Sequence, residues 1–231
     1  MSASEPEVGR NLDEVRARID SSARACGRAP EEVTLVAVSK LQPASLIRAA
    51  YAHGQRDFGE NYVQELLRKR AELADLTDLR WHLIGHLQSN KAKQVAGFVH
   101  LAHAIDDART GAELGRRAVA AGRAVAVLAQ VNVGGEAQKS GCAPEDLGAL
   151  LDALTGAPGL SLRGLMTVPP HTDDPEGAAE FFARLRALRD AHGGSARLPE
   201  LSMGMTHDLE VAVREGATMV RVGTAIFGAR G

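Results

Sequence analysis

Apolar runs and amphipathic stretches alternate along the whole chain. Runs rich in branched apolar residues fall near 33–39, 55–58, 80–85, 98–105, 124–133, 160–168, 198–203 and 218–223. Short runs of this kind, bounded by glycine or polar residues, predict buried strands. Between them, helical stretches are predicted near 43–53, 61–74, 89–96, 108–121, 144–155, 175–192 and 206–215. Leu66, Leu67, Leu73 and Leu76 approximate one apolar helix face amid Glu, Lys and Arg, and Phe181, Phe182, Leu185 and Leu188 make another. Pro43, Pro144 and Pro175 stand where a first helical turn tolerates proline. Gly54, Gly97, Gly122 and Gly216 stand where helices would end.

Eight strands alternating with seven helices predict an α/β fold built on a parallel sheet. A (β/α)8 TIM barrel wants one more helix, and the chain stops at Gly231, soon after the eighth strand. An extra N-terminal helix answers this. Leu12, Val15 and Ile19 recur at helical spacing within roughly 9–26, ahead of the first strand. That helix is expected to cover the face an eighth helix would cover. An open doubly wound sheet shares the alternation and is the competing architecture. With no linker, low-complexity tract or repeat, residues 1–231 read as a single domain.

Composition narrows the class. Net charge is −2 and the basic residues are interspersed with acidic ones. With five phenylalanines, two tyrosines and one tryptophan, the chain lacks the basic, aromatic-studded face of a nucleic-acid binder. The stretch from Met1 to Gly9 is acidic and polar, unlike a signal peptide, and no apolar run is long enough to span a bilayer. Cys26 and Cys142 form no CxxC and read as reduced thiols, so a cytoplasmic protein is expected.

The chemistry gathers at the predicted carboxyl ends of the strands, the reactive face of such a barrel. Lys40 closes the run from Val33. A lysine among apolar walls has its charged form disfavoured, and a neutral amine attacks carbonyls. Taken alone, Lys40 also reads as a strand-end lysine reaching solvent. Asn61 follows the second strand; Ser202, Met205 and Thr206 follow the seventh; Arg221, Gly223 and Thr224 close the eighth. The loops after strands seven and eight often hold a phosphate in this fold. Thr206 is expected to open the seventh helix, where backbone N–H groups favour an anion. Gly223 permits close backbone approach and Thr224 adds a hydroxyl. Thr206 as a mere helix cap and Gly223 as a mere turn are the plainer readings of each alone. Together with Lys40 they describe a site for a phosphorylated carbonyl compound, and pyridoxal 5'-phosphate fits best. Arg221 is placed to face the ring nitrogen, keeping it unprotonated and weakening the ring as an electron sink. Otherwise it would form an ion pair with Asp106 or Glu60.

These residues lie within longer matching segments: Ala37-Val38-Ser39-Lys40, Phe58-Gly59-Glu60-Asn61-Tyr62-Val63-Gln64-Glu65, the run from Trp81 to Lys91, the run from Leu201 to Asp208 and the run from Arg221 to Gly228. From about residue 10 onward the chain resembles the pyridoxal-phosphate homeostasis proteins, the YggS/PROSC family. The resemblance implies a fold type III barrel like the N-terminal domain of alanine racemase. Lys40 matches the family's Schiff-base lysine. Met205, Thr206, Gly223 and Thr224 match its phosphate-binding positions, partly through backbone N–H groups. Arg221 matches the arginine at the ring nitrogen, and Asn61 and Ser202 match positions lining the pocket. The implied function is to buffer and carry the cofactor and to maintain vitamin B6 and amino-acid homeostasis without established catalytic turnover, with apo forms of cofactor-dependent enzymes as partners. Two departures stand out: the chain stops at Phe227-Gly228-Ala229-Arg230-Gly231, where many relatives continue, and Thr206 replaces their serine.

The rival reading is a single-domain racemase-like enzyme. A two-base mechanism needs a base on each face of the substrate. Tyr51 falls mid-helix, away from the predicted site, and His82 and His86 read as structural. A Schiff-base aldolase using Lys40 is a third reading. No catalytic residue and no metal site is assigned, since no HExxH or paired Cys/His spacing occurs. Lys139, beside Gly134-Gly135, is a candidate second attachment point for the cofactor. A monomer is expected.

Overall fold

Capping chemistry sets the first element. The Glu7 carboxylate accepts from the Ser4 backbone N–H and hydroxyl, both at 2.6 Å, the back-bond that stabilises a helix start. Helix α1 therefore runs Glu5–Ala25, several residues earlier than the apolar spacing alone indicates. In the computed structural model, which describes residues 3–136 and 138–228, Val8, Leu12, Val15, Ile19 and Ala23 form its buried face. The predicted tail at Ala229, Arg230 and Gly231 lies outside the described residues.

The strands are β1 (Thr34–Val38), β2 (Asp57–Glu60), β3 (Arg80–Leu83), β4 (Leu101–Ile105), β5 (Val125–Gln130), β6 (Leu160–Met166), β7 (Glu200–Ser202) and β8 (Met219–Val222). They close in sequence order into one barrel, every pair parallel, with β1 hydrogen-bonded to both β2 and β8. The open-sheet alternative is thereby excluded. The helices following α1 are α2 (Ala44–Ala52), α3 (Val63–Glu72), α4 (Ala92–Val95), α5 (Ala108–Ala120), α6 (Leu147–Gly156), α7 (Ala179–Ala191), α8 (Gly194–Arg197), α9 (Leu209–Arg214) and α10 (Thr224–Phe227). Helix α1 packs against α2, α9 and α10, filling the gap between the ends of the ring. Asn11 on α1 donates to the Ile226 carbonyl, and Arg18 pairs with Glu210 on α9.

Three expectations need adjusting. Pro144 and Pro175 open 3₁₀ turns ahead of α6 and α7. The seventh predicted helix begins at Leu209, so Thr206 sits in a turn before it and does not open it. A one-turn helix, α10, follows β8, where none was expected. Gly54, Gly122 and Gly216 take positive φ just after α2, α5 and α9; Gly97 does not.

The core has two layers. Leu35, Ala37, Phe58, Leu66, Leu114, Leu154 and Phe182 belong to the layer between sheet and helices. Leu101, Leu128, Met166 and Met219 form a small apolar cluster inside the barrel. Barrel interiors of this kind are usually filled with branched apolar side chains. Here Asp57, His82, His103, Ser202 and Arg221 are also buried, linked by side-chain hydrogen bonds.

Candidate functional site

Strand alternation decides what reaches the barrel mouth. On β1, Leu35 and Ala37 pack outward. A Cβ on Gly59 would come within 3.1 Å of Val36, so Val36 faces inward. Val38 follows it, and by the same period Lys40, two residues past the strand end, falls on the interior side. Lys40 is half-buried. Its neighbour Ser39 points the other way, donating to Glu60 Oε1 at 2.6 Å.

The end of β8 lies against the end of β1. A Cβ on Gly223 would stand 3.2 Å from the Val38 carbonyl oxygen and 3.3 Å from the Val38 Cβ, a space that suits glycine. The β7 and β8 loops also converge: Ala225 N–H reaches the Thr206 hydroxyl oxygen at 3.4 Å. Gly204, with φ of 90°, makes the turn between Ser202 and Met205; a Cβ there would meet the Ala212 Cβ at 2.4 Å. The structure thus brings Lys40, Thr206, Gly223 and Thr224 to one end of the barrel. Met205 joins them, but its N–H donates to Asp208 Oδ1 at 2.6 Å. Asn61 starts the β2 loop and packs so closely on Gly85 that a Cβ there would stand 2.3 Å from the Asn61 carbonyl oxygen. It borders a recess of about 260 Å³ with Tyr62, His86 and Lys91.

Arg221 is buried below this mouth. It pairs with neither Asp106 nor Glu60. Its Nη1 donates to Ser202 Oγ at 2.6 Å and its Nη2 to the Thr167 carbonyl at 2.8 Å. A guanidinium has five N–H donors and no acceptor, so these two bonds leave it further donors. Burial pushes its pKa down to about 10, with Asp208 opposing, so it stays charged at neutral pH. Ser202 Oγ is also 2.8 Å from His103 Nδ1; His103 Nε2 is 2.9 Å from His82 Nδ1; His82 Nε2 is 2.9 Å from Asp57 Oδ1. Arg80 closes the series at the opposite face, holding Asp57 through both oxygens at 2.7 and 2.5 Å. Burial alone would raise the Asp57 pKa, but the hydrogen bonds from Arg80 and His82 outweigh it and hold the carboxyl well below its usual range. Burial drives the His103 pKa far down, with His82 and Arg221 adding to the effect, so this imidazole is neutral.

A groove of about 650 Å³ opens at the amino ends of the strands, beside Arg16, Gln55, Asp57 and Arg80. It holds none of the predicted site residues, which lie toward the other face.

Several participants were not singled out from sequence. His103 interrupts the apolar run of β4, and Thr167 serves through its backbone carbonyl. His103 faces inward by regular alternation from Leu101, which lies inside the barrel; the bulge between Ala102 and Ile105, which pair with Val127 and Ala129, gives β4 one extra residue and leaves Ala104 facing inward as well. The signal was a lone polar residue within Leu101-Ala102-His103-Ala104-Ile105. Tyr51 bonds Asp78 and stacks on Arg56, away from the mouth. Lys139 is held by the Pro169 carbonyl at 2.8 Å and by Glu136 at 2.6 Å. Among the described residues, no group of His, Cys, Asp and Glu is arranged to hold a metal ion, and no helix is long and apolar enough to cross a membrane.

Residues 11–231 match the family model for the alanine racemase N-terminal domain. The pyridoxal phosphate homeostasis protein of Pseudomonas aeruginosa is 50% identical over 224 residues, covering 96% of each chain. The structure of PipY from Synechococcus elongatus with PLP bound is 40% identical, with a TM-score of 0.84 over 96% of this chain and 100% of that one. Alanine racemase of Clostridium difficile shares the fold, with a TM-score of 0.73 at 13% identity, covering 96% of this chain and 56% of that one.

Proposed function

For a chain that belongs to the alanine racemase N-terminal domain family, and within it to the pyridoxal phosphate homeostasis proteins, we propose a role in binding, buffering and delivering pyridoxal 5'-phosphate. The observation that carries this reading is the convergence of a strand-end lysine, Lys40, with the two loops that follow β7 and β8, above a buried, charged Arg221. The donor set suits the ligand. Lys40 supplies an amine at the mouth, the Thr206 and Thr224 hydroxyls and the backbone beside Gly223 suit a phosphate, and Arg221 offers N–H donors to a ring acceptor. Asn61 borders the rim, and Ser202 fixes Arg221. Met205 contributes through its N–H only if Asp208 releases it. When bound, the cofactor supplies an aldehyde to which an amine can bond reversibly with loss of one water.

The chain's own groups favour holding over turnover. Arg221 has no acceptor atom and at neutral pH does not give up its proton, so it leaves a ring nitrogen unprotonated and the ring a poor electron sink. Tyr51 is tied to Asp78 on the barrel's flank. These features argue against the racemase-like alternative, whose resemblance is one of fold. We place the protein in the cytoplasm as a single-domain monomer that serves apo forms of cofactor-dependent enzymes.

The test is spectroscopic. Purified protein incubated with pyridoxal phosphate is expected to gain a visible absorbance band, and borohydride is expected to fix the ligand on Lys40, read by peptide mass spectrometry. Lys40→Ala should lose the fixed adduct. Absence of both band and adduct in the unaltered protein would overturn the reading.

A further inference from the structure

The hydrogen-bond series inside the barrel has a direction that the distances alone do not display. Asp57 is held ionised by Arg80 and His82, so it accepts only. His82 must therefore donate to it from Nε2. In a neutral imidazole that leaves Nδ1 as an acceptor, so His103 donates to it from Nε2. The Nδ1 of a neutral His103 is then also an acceptor, and the Ser202 hydroxyl must donate to it. The Ser202 oxygen in turn receives the Arg221 Nη1 proton. Every link donates the same way, from the barrel mouth toward the amino face. The opposite direction requires an extra proton on His82, next to the rings of His100 and His103 and in a buried setting.

We propose that His103, backed by His82 and Asp57, is a positioning residue for Arg221: its Nδ1 accepts the hydrogen bond donated by the Ser202 hydroxyl, so that the hydroxyl offers the guanidinium a lone pair and never competes with it as a donor at the mouth. Reversing the chain would free the Ser202 proton, placing a second donor beside Arg221. A barrel interior gains packing energy from apolar layers, and burying polar groups is costly unless each is hydrogen-bonded. The charged and titratable groups around the series are Asp57 and Arg80 at its outer end, His100 beside His82, and Arg221 with Asp208 at its inner end. The inference rests on the pyridoxal phosphate reading only for the identity of the ring acceptor, since the direction of the chain belongs to the protein alone.

Two measurements test it. In the ligand-free, ¹⁵N-labelled protein at pH 7.5, ring ¹⁵N shifts are expected to report the Nε2–H tautomer for both His82 and His103. An Nδ1–H tautomer at either ring, or a doubly protonated His82, would overturn the proposal. In the second, pyridoxal phosphate affinity and the absorbance of the bound form are compared across variants. His103→Leu should weaken binding tenfold or more and move the band. His103→Asn, whose amide oxygen stands in for Nδ1 as the acceptor from Ser202, should recover most of both. Equal losses in the two variants would assign His103 a packing role, and a His103→Leu within twofold of the unaltered protein would remove any role; either result overturns the proposal. If His103→Leu does not fold, the tautomers and His103→Asn decide. If the unaltered protein binds no pyridoxal phosphate, the functional reading fails while the tautomers still settle the direction of the chain.

Discussion

Leu41 is the one non-glycine residue with positive φ among the described residues, at 62°, and it directly follows Lys40. Its side chain is 60% exposed, so packing does not hold it there. Polar contacts do: its N–H donates to Glu65 at 2.6 Å, and the Ser39 carbonyl accepts from Gln42 N–H and from Lys69. A left-handed conformation costs a side-chain-bearing residue roughly 1–2 kcal/mol, and such strain persists where surrounding structure over-determines it. Leu41→Gly should relieve the strain but lose more chain entropy on folding, about 0.5–1 kcal/mol. The expected result is a protein stabilised by roughly 0.5 kcal/mol, the difference between those two effects. Urea unfolding measures this, and a destabilised variant would show that the turn is not strained. Lys40 itself was legible as chemistry from its place at a strand end. The turn that presents it was not, because nothing in Lys40-Leu41-Gln42 announces a left-handed residue.

The turn is clamped by an interaction between two elements. Lys69 on α3 is fully buried and meets Glu60 of β2 at 2.7 Å and Glu65 at 2.8 Å, while Ser39 also donates to Glu60. Burial raises the Glu60 pKa, though Lys69 and Ser39 pull the other way. Removing one partner of a buried pair leaves an uncompensated charge and typically costs about 3–5 kcal/mol. Lys69→Met is therefore expected to destabilise the fold by about that amount, and adding Glu60→Gln should restore part of it. A double-mutant cycle by chemical denaturation checks this; strictly additive effects would mean the two groups act independently. Sequence reasoning did not single out Lys69, since a lysine among glutamates and arginines ordinarily belongs in water. It also set β2 near 55–58, whereas the strand is Asp57–Glu60. Asp-Phe-Gly-Glu carries little strand propensity, and its pairing with β1 and β3 decides the matter.

At the scale of the whole molecule, the polar column through the barrel ties stability to pH. His103 has its folded pKa pushed far below that of an unfolded histidine, about 6.5. The unfolded chain therefore binds a proton that the folded chain refuses, and stability falls as pH drops below about 6.5. The slope reaches up to about 1.4 kcal/mol per pH unit from this residue. Asp57, whose folded pKa is depressed, contributes stability that is present above its unfolded value and lost as pH falls below about 3.9. Urea midpoints measured from pH 7.5 to 5 should decline, and His103→Asn should flatten the decline. A midpoint independent of pH in that window would mean His103 does not stay neutral in the fold.

The alternation of apolar runs with amphipathic stretches determined the eight parallel strands and the covering role of the leading helix, and the polar residues that follow the runs determined which strand ends the candidate residues share. These are consequences of local periodicity, and the barrel only had to be consistent with them. Which polar residues act together was decided by tertiary structure. Asp57, His82, His103, Ser202 and Arg221 come from five different strands, and meet because a closed barrel turns alternate residues of every strand toward one axis. Alternation along β4 turns His103 inward, but its partners His82 and Ser202 reach it only through the long-range pairing of the strands. The sequence displays each of these residues singly; only closure of the sheet makes them one connected chain ending at Arg221.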